Sequence, residues 1–306
     1  MKGGSVAAQA FASQALANAA QFDMEEGQNA IAKAGAIPTL LKLLEVGKAQ
    51  MPAAGALANL ARNNPRIQSE IASAGGIAPL LSLLNSRNTE AQVQAASALA
   101  ELAWHNSDTQ AAIAKAGGIG PLLALLTSRS TSAQSQGMSA LGQLAHHNAD
   151  NQDAIAKMGG LKPLVNLLSA GGNDMNVQAN AASALMEITR SNRANQQSVV
   201  DNMGVSALAL LMKNSPHAKV KAEAAGALWS LSEDSEIKIS IAGASTVAPL
   251  VALLGSGGDH ARDHAYYALA SIGLDNIKNQ TQITQLLIEL LLTGTEMAQT
   301  RAVTAL

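Results

Sequence analysis

The sequence predicts an all-α solenoid of three-helix repeats, each about 42 residues long. Three observations predict it. An apolar segment broken by glycine recurs: IAKAGAIPTLLKLL from Ile31, IASAGGIAPLLSLL from Ile71, IAKAGGIGPLLALL from Ile113 and IAKMGGLKPLVNLL from Ile155, with weaker copies from Val199 and Ile241. Two leucine series keep the same step: Leu40, Leu80, Leu122, Leu164, Leu208 and Leu250 with Leu286, and Leu16, Leu57, Leu99, Leu141, Leu185, Leu228, Leu269 and Leu306. Hydrophobic residues make up 48% of the chain but aromatics only 2%, so the apolar mass is Ala and Leu, which suits close helix packing.

The elements follow in order within each unit. A short first helix, such as Asn151 to Met158, carries one inward Ile and stops at a Gly pair, because Gly accepts the left-handed conformation that closes a helix. The second helix begins near a Pro, here Pro163, which a first turn tolerates. Leu164, Leu167 and Leu168 form its buried stripe. After a polar loop, Ser169 to Asn176, the Ala-rich third helix runs from Val177 to Thr189. The expected units span residues 5–22 (a third helix only), 26–63, 66–105, 108–148, 151–192, 195–234, 237–275 and 277–306 (truncated). Both ends fall inside a repeat and neither has the polar-faced cap of a finished solenoid, so the chain is expected to be a piece of a longer protein.

Composition narrows the function classes. A net charge of −2 gives no global field for nucleic acid or an anionic membrane. No cysteine is present, which excludes disulfides, thiolate metal sites and a Cys nucleophile. No apolar run approaches a bilayer-spanning length, and the first residues lack a signal-peptide core. The expected setting is cytoplasmic, extending to the nucleus.

The Gly-Gly-Ile-x-Pro-Leu-Leu turn, the AAGALWSLS segment at Ala224 to Ser232 and the period resemble the armadillo-repeat family over essentially the whole chain. The resemblance implies a right-handed superhelix whose third helices line a concave groove that binds extended peptides. In the importin-α branch, an Asn row on these helices grips peptide backbone and a Trp row one turn earlier stacks on Lys stems. Here the Asn row holds Asn18, Asn59, Glu101, Gln143, Glu187, Ser230 and Ser271. The Trp row holds Gln14, Gly55, Ser97, Ser139, Ser183, Gly226 and Tyr267. Two Asn and no Trp remain, so the match to importin-α is not close. The row is polar throughout beside Ala and Leu, as a solvated groove would be.

One turn further lie Arg62, Trp104, His146 and Arg190, with Glu233 in the next unit. Such cations and aromatics suit a partner with carboxylates or rings, and cations also suit a helix C-terminus on their own account. Trp229 reads as core. The candidate partner-binding residues are Asn59, Ser97, Glu101, Trp104, Ser139, Gln143, His146, Ser183, Glu187, Arg190 and Tyr267.

Catalytic chemistry is thin. His260 and His264 have the i, i+4 spacing of a metal pair, but no third ligand is evident and Asp259 reads as a helix cap. His146 and His147 are adjacent and read as surface residues. Gly171-Gly172 and the Gly255 to Gly258 run lack a phosphate-loop pattern and read as flexible links. Lys33, Lys115 and Lys157 precede the glycine hinge, where a cation suits the helix end. No catalytic residue, metal or cofactor is expected. The expected function is a monomeric, non-catalytic scaffold for a protein or peptide partner in the concave groove, with no nucleic acid and no membrane insertion. The alternatives are a nuclear-import adaptor of importin-α type and the interaction module of a larger enzyme, such as an armadillo-containing ubiquitin ligase.

Overall fold

In the computed structural model, residues 6–22, 24–170 and 174–305 are described. They are helical with short connections, and no strand occurs among them. The chain divides into two compact units, Met1–Ala154 and Ile155–Leu306. The first holds α1 (Val6–Phe22), α2 (Met24–Lys33), α3 (Ala36–Leu43), α4 (Gln50–Ala61), α5 (Pro65–Ser73), α6 (Ile77–Leu84), α7 (Thr89–Ala103), α8 (Ser107–Lys115), α9 (Ile119–Leu125) and α10 (Thr131–Ala145). The division falls within α11 (Ala149–Lys157). The second holds α12 (Leu161–Ala170), α13 (Met175–Thr189), α14 (Arg193–Asp201), α15 (Gly204–Asn214), α16 (Ala218–Leu231), α17 (Ser235–Gly243), α18 (Val247–Ser256), α19 (Asp259–Gly273), α20 (Ile277–Thr293) and α21 (Glu296–Ala305).

The third helices stack on one another. In the first unit α4 packs between α1 and α7, and α7 between α4 and α10. In the second, α16 packs between α13 and α19. Alanines such as Ala53, Ala54, Ala95, Ala96, Ala98, Ala224 and Ala225 are fully buried along these contacts, so the backbones approach closely. The repeating leucines Leu40, Leu80, Leu122, Leu164, Leu208 and Leu250 have no exposure at all. Each one buried contributes about 2 kcal/mol to its unit.

The two hinge glycines do different work. Gly117 takes the left-handed conformation, φ 82°, and so ends α8. Gly118 has an ordinary φ of −67°. It is small because its amide meets the Ile113 carbonyl, and a Cβ there would lie 2.7 Å from Ile113 Cγ2 and 2.9 Å from that oxygen. The equivalent turn sets α5 and α6 at 83°. Later repeats depart from glycine. Met203 and Ser245 hold the left-handed position at φ 65° and 61°. Thr246 holds the second one, where its hydroxyl donates to the Ile241 carbonyl at 2.8 Å.

The chain departs from the expected pattern in three places. Residues 277–293, expected to break around a second-helix Leu286, form one unbroken helix because nothing there favours a left-handed turn. The Gly255 to Gly258 run is not a flexible link as a whole. Gly255 is buried inside α18, and Arg301 Nη1 donates to the Gly255 and Gly257 carbonyls at 3.0 Å each, closing the helix end. Helix α13 begins at Met175, inside the expected loop, capped by Asp174; Gly171-Gly172 lie outside the described residues.

A buried amide ladder joins neighbouring repeats. Third helices end on an extended residue, then a left-handed one (Asn63, His105, His147, Ser191, Asp275), then an Asn. Asn64, Asn106, Asn192 and Asn276 cap the next helix by accepting from its backbone N–H groups. Asn64, Asn106 and Asn148 also donate to Gln28, Gln68 and Gln110, each at 3.1 Å. Gln110 Nε2 in turn donates to the Ala103, Gln143 and His146 carbonyls at 3.2, 2.9 and 3.2 Å, so it pins the ends of two third helices.

Two outcomes are expected. Gln110→Ala leaves those buried carbonyls short of a donor and should lower stability by about 2–3 kcal/mol, read as a fall in the urea midpoint. Gly118→Ala should cost more than Gly117→Ala, which carries only the left-handed penalty of about 1–2 kcal/mol. The reverse order in thermal melts would contradict the close-approach account.

Candidate functional site

The expected row is formed by side chains projecting from α4, α7 and α10 in the first unit and from α13, α16 and α19 in the second. Asn59, Ser97, Glu101, Ser139, Gln143, Ser183 and Glu187 are all half-buried, as in a lined face rather than a free surface. Ser97, Ser139 and Ser183 sit one turn before Glu101, Gln143 and Glu187, so each helix offers a small polar step below a longer polar arm.

The row closes in the second unit. Ser230 is 4% exposed, and its hydroxyl lies 2.7 Å from Thr189 Oγ1. Gly226 is buried against the His264 ring. The expectation of a solvated row through all units therefore fails on α16, where small residues make room for neighbouring side chains. This also removes two of the places where an importin-type row would act.

Arg62, Trp104, His146 and Arg190 occupy one structural position, the C-cap of a third helix, with ψ between 113° and 120°. The extended ψ turns the chain there before the left-handed residue that follows. Both arginines are committed to carboxylates. Arg62 Nε donates to Glu101 Oε1 at 2.9 Å, across from one repeat to the next. Arg190 Nη2 donates to Glu187 Oε1 at 3.1 Å within α13 and its cap. Glu233 accepts from Gln196 Nε2 at 3.1 Å. The cations are thus paired inside the row, and the face is locally neutral at both carboxylates.

Aromatic groups gather in two clusters. In the first unit Trp104, 39% exposed, meets His105 edge-on at 4.7 Å, His105 meets His146 at 4.7 Å, and His146 meets His147 at 4.2 Å. The adjacent His146, half-buried, and His147, exposed, are members of this ring cluster at the surface. In the second unit Trp229 stacks on Tyr267 at 4.8 Å and 23°, with the Arg190 guanidinium 5.4 Å above its ring. Trp229 is half-buried between Arg190 and Tyr267, not fully in the core as its sequence position suggested. Its signal was present: it lies three residues after Gly226, on the same helical face. Tyr267 remains 48% exposed. Lys33, Lys115 and Lys157 are exposed in the last turns of α2, α8 and α11, as helix-end cations.

The stacked third helices and hinged first and second helices define an α-solenoid. An armadillo/β-catenin-like repeat model matches residues 64–104 and 148–190. Crystal structures of two engineered proteins are similar. One is 34% identical with a TM-score of 0.81, covering 96% of this chain and 72% of that chain. The other is 33% identical with a TM-score of 0.72, covering 78% of this chain and 96% of that one. A designed armadillo repeat protein in complex with the peptide (KR)4 shares the fold at 23% identity and a TM-score of 0.70, covering 78% of this chain and 99% of that chain. No curated protein matches the chain. The chain belongs to the armadillo-repeat family.

Arg62→Met should lower stability by less than about 1 kcal/mol, since the Arg62–Glu101 pair is partly exposed and screened. The loss should shrink in added salt; a larger, salt-independent loss would mean that Arg62 acts through packing instead.

Proposed function

We propose that this chain is a non-catalytic, monomeric scaffold, acting in the cytoplasm or nucleus, that holds an extended or helical segment of a protein partner in the concave groove lined by its third helices. The observation that carries this reading is that, in each unit, half-buried polar third-helix residues accompany an exposed ring, Trp104 in the first and Tyr267 in the second. Amide and hydroxyl arms at Asn59, Ser97, Ser139, Gln143 and Ser183 suit a peptide backbone, which offers a donor and an acceptor at each residue. A rigid repeat array presents such contacts at fixed intervals, so ordering costs on the scaffold side are small. The likeness to designed armadillo proteins, one of them in complex with (KR)4, supports a peptide ligand.

The charge arrangement supports a partner of mixed character rather than a purely basic one. Glu101 and Glu187 already accept from Arg62 and Arg190. A polybasic segment would have to displace those arginines to gain a carboxylate. An aromatic or aliphatic anchor against Trp104, in contrast, gains by burying exposed ring surface.

The reading is tested by selecting short peptides from a displayed library against the chain and measuring affinity by fluorescence anisotropy. Trp104→Ala and Glu187→Lys should each weaken the selected peptides by about tenfold or more, equivalent to about 1.4 kcal/mol. The peptide (KR)4 should bind more weakly than the selected ones. Selected peptides indifferent to both substitutions would place recognition elsewhere on the chain.

A further inference from the structure

Helix α19 carries His260 and His264 one turn apart, with ring centroids 4.2 Å from each other. The third donor that the sequence does not display comes from α16, where Glu223 Oε1 lies 3.4 Å from His260 Nε2. The three candidate ligand atoms lie within 4.8 Å of one another. We propose that Glu223, His260 and His264 bind a divalent transition-metal ion of the zinc class through two imidazole nitrogens and one carboxylate oxygen, bridging α16 and α19.

The surroundings fit that chemistry. His264 is buried at 7% exposure, and its Nδ1 lies 2.9 Å from the Ala222 carbonyl. A carbonyl only accepts, so Nδ1 carries the proton and Nε2 carries the lone pair. A backbone carbonyl that fixes the tautomer of a ligating imidazole is a common outer-shell arrangement at metal centres. Room for the ring is built in. A Cβ on Gly226 would lie 2.7 Å from both Cε1 and Nδ1 of His264, so only glycine admits the imidazole there. Asp259, expected as the cap of α19, does not cap it. The cap position is Gly258, and Asp259 pairs with Arg262 at 3.0 Å, away from the cluster.

Access and coordination number follow from exposure. The Glu223 side chain is 13% exposed, whereas that of His260 is 65% exposed. His260 therefore forms the outer side of the site, where an ion enters and where a water completes the shell. Metal–nitrogen bonds of about 2.0–2.1 Å require the donors to close in by roughly 1 Å. Rotation of the exposed His260 side chain supplies that movement. Two nitrogens and one oxygen suit zinc, cobalt, nickel or copper, and not the oxygen-seeking calcium or magnesium. Bound metal would cross-link two adjacent third helices beside the Trp229–Tyr267 stack.

The test uses the full chain without a histidine tag, stripped with chelator and titrated with Zn(II) by calorimetry and with Co(II) by visible absorption. The expected result is one ion per chain, with a raised melting temperature. Glu223→Gln and His260→Gln alter partly exposed positions, and each should weaken binding by about tenfold or more, in line with the loss of one ligand bond, without changing the metal-free melt. Replacing His105, His146 and His147 together should leave binding unchanged. If that triple variant abolishes binding, or if Glu223→Gln and His260→Gln bind Zn(II) as the parent does, or if the parent binds neither ion, the site does not exist.

Discussion

The buried amide ladder is the interaction on which the rest of each unit depends. Helix ends leave carbonyls without intrahelical partners, and a stack of third helices gathers those ends in one interior layer. Gln28, Gln68, Gln110 and Gln196 supply the missing donors; Gln28, Gln110 and Gln196 serve carbonyls at the third-helix end of their own repeat, and Gln68, Gln110 and Gln196 serve carbonyls of the repeat before. The Asn that caps each first helix then holds the Gln of the repeat before it, as Asn64 holds Gln28 and Asn148 holds Gln110. Hydrophobic burial draws the helices together but is indifferent to register. The amides are directional, so they fix how far one repeat slides along the next.

That register positions the third-helix ends. Arg62, Trp104, His146 and Arg190 sit at equivalent C-caps, and the ladder holds the Arg62 and His146 carbonyls directly. The bonds are of similar length, 3.0 Å to the Arg62 carbonyl and 3.2 Å to that of His146. Small variations in this scheme create local differences. Where Lys238 takes the Gln position, its Nζ reaches the Leu274 carbonyl at 3.3 Å and carries the same duty with a charge. Where Gly226 and Ser230 replace larger groove residues, the vacated space receives His264 and the Thr189 hydroxyl.

Much of the repeat was legible because its signals are local. Glycine before a Pro-containing apolar run, and leucines at i, i+3 and i+4, act within one turn or one hinge. Two signals misled for a physical reason. Trp229 reads as core because it adjoins Leu228, yet a helix turns 100° per residue and carries it to the face of Gly226. The second hinge glycine reads as conformational, yet Gly118 has an ordinary φ and is small because Ile113 occupies the space of a Cβ. The Gln and Asn of the ladder recur as visibly as the leucines, but their partners lie 30 to 40 residues away, as in Gln110 with His146 and Asn148 with Gln110.

The sequence by itself determined the helical class, the repeat length, the hinges and which residues share a third-helix face, since each follows from spacing along one helix. Tertiary structure decided which of those residues meet. It paired Arg62 with Glu101, stacked Trp229 on Tyr267, and set Glu223 beside His260 and His264. Those neighbours belong to different repeats, and the distance between them depends on how closely backbones pack. A buried alanine or glycine sets that distance without leaving any trace in the periodicity.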